Sequence, residues 1–292
     1  MARLTADDFK RQLADVVRPG DELVVVYSGI WTFGHRFAAA PADVPKVVLD
    51  AMLESLGPNQ TLLLPSYTYN FTKTRVYSPR DSTPETGVLP VTMHESFPHV
   101  RTRSALNSFL ASGPRAEELA NVRGQTLWGE GSLKHHFQRQ HARIVVLGLP
   151  WEAACGFLHR IEEEADAPYR YHKTFRGTWD EYGKKSDFAE TMFVRPLAFR
   201  PVFKWAMVDQ LLRSRNQILK SAGEIFLESA DASDIVAAGR EIVDDDPYAL
   251  IANVDDVRDW VKNGKAAEIE ALRAEDPGAL EYHDRLTASH TH

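Results

Sequence analysis

The hydrophobic pattern switches along the chain between continuous apolar runs of strand length and amphipathic runs of helix length. Thr5 caps a predicted helix over 6–17, with Asp7 and Asp8 against its N-terminal dipole, and Arg18-Pro19-Gly20-Asp21 breaks it. Residues 22–27 then read as a buried strand that ends at Ser28-Gly29. An amphipathic helix over 43–56 stops at Gly57-Pro58-Asn59, and 61–64 form a second buried strand ending in Pro65-Ser66-Tyr67-Thr68. A third β-branched run, 143–149, is closed by Gly148-Leu149-Pro150 and followed by a helix over 154–165. Strand, helix, strand with short connectors predicts a parallel sheet, in which ligands bind beyond the carboxyl ends of the strands. The strand ends at 27–29, 65–68 and 149–152 are therefore expected to share one site.

Between 69 and 112 the composition turns to Ser, Thr, Pro and aromatics, with little periodicity until 88–93, as befits a binding surface in a compact domain. Within it Arg101 and Arg103 precede a polar-apolar alternation, a strand expected to present Asn107 and Ser108 to a pocket. A short helix is expected over 114–119. Trp128-Gly129-Glu130-Gly131-Ser132 opens a helix over 133–140, where backbone amides are candidates to hold a carbonyl or phosphate oxygen. The basic and aromatic stretch 168–177 precedes a strand over 188–194, a helix over 201–212 and a short strand over 224–227. Helices over 231–243 and 254–272 follow, then a polar tail, 276–292, expected to fray. No repeat or linker divides the chain. The expected architecture is one α/β domain over 1–275, a central, largely parallel or mixed sheet flanked by helices.

Composition narrows the function. With 292 residues, 43% of them hydrophobic, the chain can bury a full core. Its net charge of -7 argues against a nucleic-acid backbone binder and permits an anionic co-substrate on a local basic patch. With no apolar run of membrane length and no leader pattern at the start, a cytoplasmic protein without membrane partners is expected. One cysteine excludes a disulfide framework and any multi-cysteine metal site. His94 and His99 miss zinc-peptidase spacing, and Pro98 breaks the helix such a motif needs, so no metal is expected.

The chemistry concentrates in 142–171. On the helix over 154–165, Cys155, His159 and Glu162 or Glu163 recur at steps of three and four, so thiol, imidazole and carboxylate share a face. A carboxylate that accepts one ring N–H fixes the tautomer of His159 and raises its basicity, as a general base for an amine or thiol requires. Cys155, one turn earlier, is either a nucleophile or a small core residue.

Six pieces in order resemble the aminoglycoside 3-N-acetyltransferase family, the CoA-dependent antibiotic N-acetyltransferases. They are Gly20-Asp21 with a strand ending at Ser28; Gly57-Pro58 with Thr61-Leu62-Leu63-Leu64-Pro65-Ser66-Tyr67-Thr68; Thr83-Pro84 with Gly87-Val88-Leu89-Pro90; Ser108-Phe109 with Gly113-Pro114-Arg115-Ala116-Glu117-Glu118-Leu119; Trp128-Gly129-Glu130-Gly131-Ser132; and Val146-Leu147-Gly148 with Leu158-His159 and Glu162. The resemblance spans about residues 5–250. It implies an antibiotic N-acetyltransferase-like fold and direct transfer of an acyl group, acetyl first of all, from acyl-CoA to an amine. It places His159 as the base and Glu152 as the carboxylate that orients it, beside Glu162 from helical spacing. Backbone N–H groups near Ser28-Gly29 are expected to meet the oxyanion. Tyr27, Ser66, Tyr67, Thr68, Asn107, Ser108, Arg101, Arg103, Gly129, Gly131 and Ser132 complete the candidate substrate or CoA contacts.

The chain departs from the family pattern on the expected substrate side. Ser104-Ala105-Leu106-Asn107-Ser108-Phe109 replaces the usual His-Pro-x-His-Ser-Phe, Tyr27-Ser28-Gly29 the usual His-Ser-Ser, and Val91 the glutamate after Pro90. Loss of acid there suits a polycationic aminoglycoside poorly. Tyr27 to Gly34 and Pro168-Tyr169-Arg170 instead resemble the branch that acylates amino sugars, often nucleotide-linked, for polysaccharide or natural-product assembly. Arg101, Arg103, Arg170, Lys173 and Arg176 are then candidates for a diphosphate or a CoA phosphate. The leading expectation is an acyl-CoA-dependent N-acyltransferase on an amino sugar. Its alternatives are aminoglycoside inactivation and a catalytically inactive CoA- or sugar-binding paralogue, and both monomer and homodimer stay open.

Overall fold

Three apolar strands lie side by side at the centre of the molecule, as the continuous hydrophobic runs require. The computed structural model describes residues 3–198 and 200–289. The strands are β1 Leu23–Ser28, β2 Thr61–Pro65, β3 Val76–Tyr77, β4 Val100–Arg101, β5 Phe109–Ser112, β6 Arg143–Leu147, β7 Tyr171–Glu181, β8 Lys184–Val194, β9 Leu219–Lys220 and β10 Leu227–Asp231. The helices are α1 Ala6–Ala14, α2 Val44–Ser55, α3 Phe71–Thr74, α4 Val88–Ser96, α5 Ala116–Ala120, α6 Leu133–Arg139, α7 Gly156–Glu164, α8 Trp205–Ser214, α9 Ala232–Val243, α10 Val254–Asn263, α11 Lys265–Glu275 and α12 Glu281–Ser289.

β1 pairs in parallel with β2, Val24 opposite Leu62, and with β6, Val25 opposite Ile144. It thereby becomes the middle of a seven-stranded sheet ordered β4-β5-β2-β1-β6-β10-β9. The sheet is mixed because β5 runs antiparallel to β2 and β10 antiparallel to β6. Alternation along β1 divides its side chains between two core layers. Leu23, Val25 and Tyr27 pack with residues of α6 to α9, while Val24 and Val26 pack with residues of α1, α2 and α4. The expected α/β layering is therefore present.

A second sheet, β3-β7-β8, comes from the basic and aromatic stretch. β7 and β8 form one long hairpin through Tyr182 (φ 54°) and Gly183 (φ 78°), the left-handed pair a tight two-residue turn demands. β10 lies three residues later than the apolar count suggested, so that Leu227 faces Leu147 of β6. The single helix expected over 254–272 is two, separated at Gly264, where a Cβ would stand 2.7 Å from Trp260 Cδ1.

The tail does not fray over its described part. Leu280 is fully buried in the turn Pro277–Leu280, Tyr282 sets its ring 5.0 Å from that of His172, and Glu281 pairs with Arg176 at 2.6 Å. Residues 290–292 lie outside the described part. Among the described residues no helix is long and apolar enough to cross a membrane.

The start of the chain follows its capping chemistry. Thr5 accepts from the Asp8 N–H at 3.1 Å, and Asp8 accepts from the Thr5 N–H at 2.8 Å. Thr5→Ala removes one half of this reciprocal cap. It is expected to cost about 1 kcal/mol, read as a small drop in Tm with activity intact.

Candidate active site

α7 is fixed by burial of Phe157, Leu158 and Ile161, with Cys155 as the residue before its first turn. That leaves His159 21% exposed and Glu162, one turn on, only 1% exposed. His159 Nδ1 lies 2.8 Å from Glu162 Oε2. Arg170, at the entry to β7 and 4% exposed, places Nη2 2.8 Å from the same oxygen and 3.0 Å from Nδ1. A guanidinium only donates, so the arrangement that satisfies all three groups has both the Arg170 N–H and the Nδ1–H pointing at Glu162. The tautomer is assigned from this pattern. It leaves Nε2 with its lone pair.

The electrostatics agree with this assignment. Burial and the Arg170 charge lower the pKa of His159, and its hydrogen bonds to Cys155 and Glu162 outweigh them, so the imidazole ends above its ordinary value. Burial works to raise the Glu162 carboxyl, but Arg170 and His159 hold it below the usual range, so Glu162 is ionised. Trp128 and Phe203 flank the imidazole with ring centroids at 5.4 and 5.7 Å.

A second cluster lies on the other side of Cys155. Lys134 on α6 is completely buried, with its Nζ hydrogen-bonded to Tyr27 Oη and 3.4 Å from Tyr67 Oη. The rings of Phe109 and Phe157 stand 4.5 and 4.8 Å from the same nitrogen. Burial pushes the Lys134 ammonium down to about 7. Burial alone would raise the Cys155 thiol, yet His159 and Lys134 bring it below its usual value.

The chain matches the family described as aminoglycoside 3-N-acetyltransferase over residues 37–242, well over half its length. It belongs to this family. The protein is an acetyltransferase, and its architecture agrees with solved aminoglycoside acetyltransferases. Aminoglycoside acetyltransferase AAC(3)-IVa, as the apoenzyme, superposes with a TM-score of 0.69 at 21% identity, over 88% of this chain and 97% of that one. AAC-IIIb in its binary complex with CoASH gives 0.70 at 18% identity, over 83% and 97%. A histidine-to-alanine mutant of AAC(3)-IVa in complex with apramycin gives 0.66 at 21%, over 85% and 96%. No curated protein sequence matches the chain.

Within this acetyltransferase the sequence-predicted residues separate into distinct groups. Glu162, not Glu152, is the carboxylate bonded to His159. Glu152 is exposed on the short turn Trp151–Ala154, where only its backbone carbonyl is engaged, by the Cys155 N–H at 3.2 Å. Glu163 points the other way and binds His172 Nε2 at 3.0 Å.

Several expected ligand contacts serve the fold instead. Arg101 is 8% exposed and spends its guanidinium on Ser66 O, Pro79 O, Ser82 O, Thr68 Oγ1 and Ser108 Oγ. Ser66, Thr68 and Ser108 are thus its buried partners, with Ser66 and Ser108 hydroxyls 2.9 Å apart. The Gly29 N–H, expected at the oxyanion, donates to Leu147 O at 2.8 Å, and Ser28 pairs with Leu147 in the ladder. A Cβ at Gly29 would sit 2.5 Å from Leu149 Cδ2, so glycine there answers to packing. Gly129 N–H donates to Thr126 Oγ1 and Gly131 N–H to His135 Nδ1, both at 2.9 Å. Ser132 caps α6 by accepting from the His135 N–H at 3.2 Å. The glycine loop therefore closes on itself and holds no ligand oxygen with these amides.

Asn107 lines a small cavity with Thr102, Thr126 and Glu190, and His159 is not part of its wall. Arg103 is exposed and lies over Trp179 at 5.2 Å. Tyr27 and Tyr67 converge on Lys134 as described. Lys134 and the contact of Arg170 with Glu162 escaped the sequence reading. The available signal for Lys134 was its place on the stripe of α6 shared with Leu133 and Phe137, where a charge meets the core.

Proposed function

We propose that this protein transfers the acetyl group of acetyl-CoA to a primary amine of an aminoglycoside-type amino sugar, with His159 as general base. The observation that carries the reading is the buried His159–Glu162–Arg170 arrangement, which presents a basic Nε2 at the carboxyl-end side of a parallel sheet. The substrate ammonium releases one proton to solvent, and as the resulting amine attacks the thioester carbonyl carbon its nitrogen gives a second proton to Nε2. The tetrahedral intermediate then expels the CoA thiolate, which takes the proton from the imidazolium, leaving amide and CoASH.

The aminoglycoside class is supported by the family match and by the fate of the cations available for a diphosphate. Arg101 is saturated inside the fold, Arg170 is held by Glu162, and Arg176 pairs with Glu281. A nucleotide-linked sugar loses those three contacts.

The test is release of free CoA thiol from acetyl-CoA with aminoglycosides and, separately, with nucleotide-linked amino sugars, followed by mass spectrometry of product and protein. Acetylated aminoglycoside is the expected product. Turnover confined to the nucleotide-linked sugars overturns the acceptor class, and an acetylated Cys155 peptide that turns over replaces direct transfer by a covalent route.

A further inference from the structure

The oxyanion formed during transfer needs a preorganised donor, and the Gly29 amide is committed to Leu147. The Lys134 cluster has the opposite imbalance. An ammonium brings donors only, and the Tyr27 and Tyr67 hydroxyls each bring one more. The acceptors among them are the two phenolic oxygens, and among the described residues no carboxylate forms an ion pair with Lys134. Four aromatic rings enclose the nitrogen, at 5.2 Å for Tyr27, 4.5 Å for Phe109, 5.8 Å for Phe137 and 4.8 Å for Phe157. Such rings favour a cation without supplying a hydrogen-bond acceptor. The pocket is rich in donors and short of an anion.

Its position adds to this. Tyr27 and Tyr67 stand at the carboxyl ends of the parallel strands β1 and β2. Lys134 lies against the first turn of α7, where a Cβ on Gly156 would come within 2.9 Å of Lys134 Cε. His159 follows one helical turn later, about 5 Å along the axis. Cys155, between the two clusters, is the other acidic side chain that faces the lysine. Tyr27 is almost fully buried, whereas Tyr67 keeps part of its surface open and packs its ring against Tyr69 at 5.9 Å, itself exposed. Of the two hydroxyl-bearing rings, Tyr67 is the one that keeps surface open to solvent.

We propose that Tyr67 donates its hydroxyl proton as a hydrogen bond to the thioester oxyanion, and that Lys134 is the positioning residue that holds and polarises that hydroxyl, with Tyr27 as its second anchor. In its ammonium form Lys134 points N–H groups at both phenolic oxygens, and the two hydroxyls also hydrogen-bond each other. With Tyr27 donating in that pair, the Tyr67 hydrogen is turned away from Nζ and strengthened as a donor to the thioester. No bond to Tyr67 forms or breaks. The negative charge that appears when the nucleophile adds to the carbonyl is met by a donor already in place.

This inference rests on acetyl transfer from acyl-CoA but not on the identity of the amine, so the experiment uses two nucleophiles. Thiol release from acetyl-CoA is measured with hydroxylamine, a small neutral nucleophile, and with an aminoglycoside, in wild type, Tyr67→Phe, Lys134→Met and the double variant. CoASH binding by calorimetry serves as the control for an intact fold. Tyr67→Phe and Lys134→Met are each expected to lower kcat about 10²-fold with both nucleophiles while CoASH still binds. The double variant is expected to be no worse than the singles, because the two residues act as one unit. Wild-type rates in Tyr67→Phe with both nucleophiles overturn the proposal, even where Lys134→Met fails to fold. Tyr67-dependent release with hydroxylamine but none with any amino sugar removes the acceptor class and leaves the oxyanion donor standing. Absence of release with either nucleophile overturns both.

Discussion

Replacing His159 with alanine is expected to lower kcat by about 10²–10⁴-fold, the range a positioned general base contributes, with little change in CoASH affinity. The loss is confined to chemistry because the imidazole is only a partner of Glu162, which keeps Arg170 at 2.8 Å when the ring is gone. The pH profile carries independent information. His159 must be neutral to accept a proton, so kcat/KM rises as pH climbs through its pKa. Since Cys155 and Glu162 raise that pKa over the opposing effects of burial and Arg170, the acid limb is expected above the ordinary histidine value of about 6.5. A variant with undiminished kcat and an unchanged acid limb removes His159 from the mechanism.

Glu162→Gln is expected to lower kcat by about 10²-fold and to destabilise the fold as well. An amide in place of the carboxylate no longer favours the imidazolium, so the acid limb of kcat/KM moves to lower pH while the maximum rate falls. The same change strips the counter-charge from Arg170, which is 4% exposed. Leaving a buried guanidinium without its partner costs about 3 kcal/mol, to be read as a lower denaturation midpoint at unchanged slope. Glu152→Gln is the matched control. Its side chain is exposed and makes no contact with His159, so both readouts are expected to stay at wild-type values. Equal losses in the two variants return the orienting role to Glu152.

The parts of this site that could be read beforehand are those created by local geometry. His159 and Glu162 are three residues apart on one helix, and helical rise alone brings such side chains together. The continuous apolar runs at β1, β2 and β6 likewise required a buried parallel sheet, because strands covered on both faces have no polar alternation. Motif order along the chain was enough for family and reaction class, since both depend on residue types at nearly constant spacing.

Charged residues far apart in the chain followed no such rule. Arg101 and Arg170 look alike in sequence, two arginines in polar, aromatic stretches. One is enclosed by carbonyls and hydroxyls under the β4–β5 edge and the other is locked to the carboxylate beside His159, and folding alone separates these fates. Tyr27 and Lys134 are 107 positions apart and meet only because β1 and α6 occupy the same layer of the core. Glycines misled for a related reason. Gly29 and Gly129 read as backbone exposed to a ligand, but a Cβ at each would run into protein, 2.5 Å from Leu149 Cδ2 for one and, for the other, 2.5 Å from Thr126 Oγ1 and 3.0 Å from Glu163 Oε1. Periodicity and spacing thus settle which elements form and which of their faces are apolar. Whether a polar group binds substrate or serves the fold depends on which distant donors and acceptors share its buried volume, and those are assembled only when the layers close.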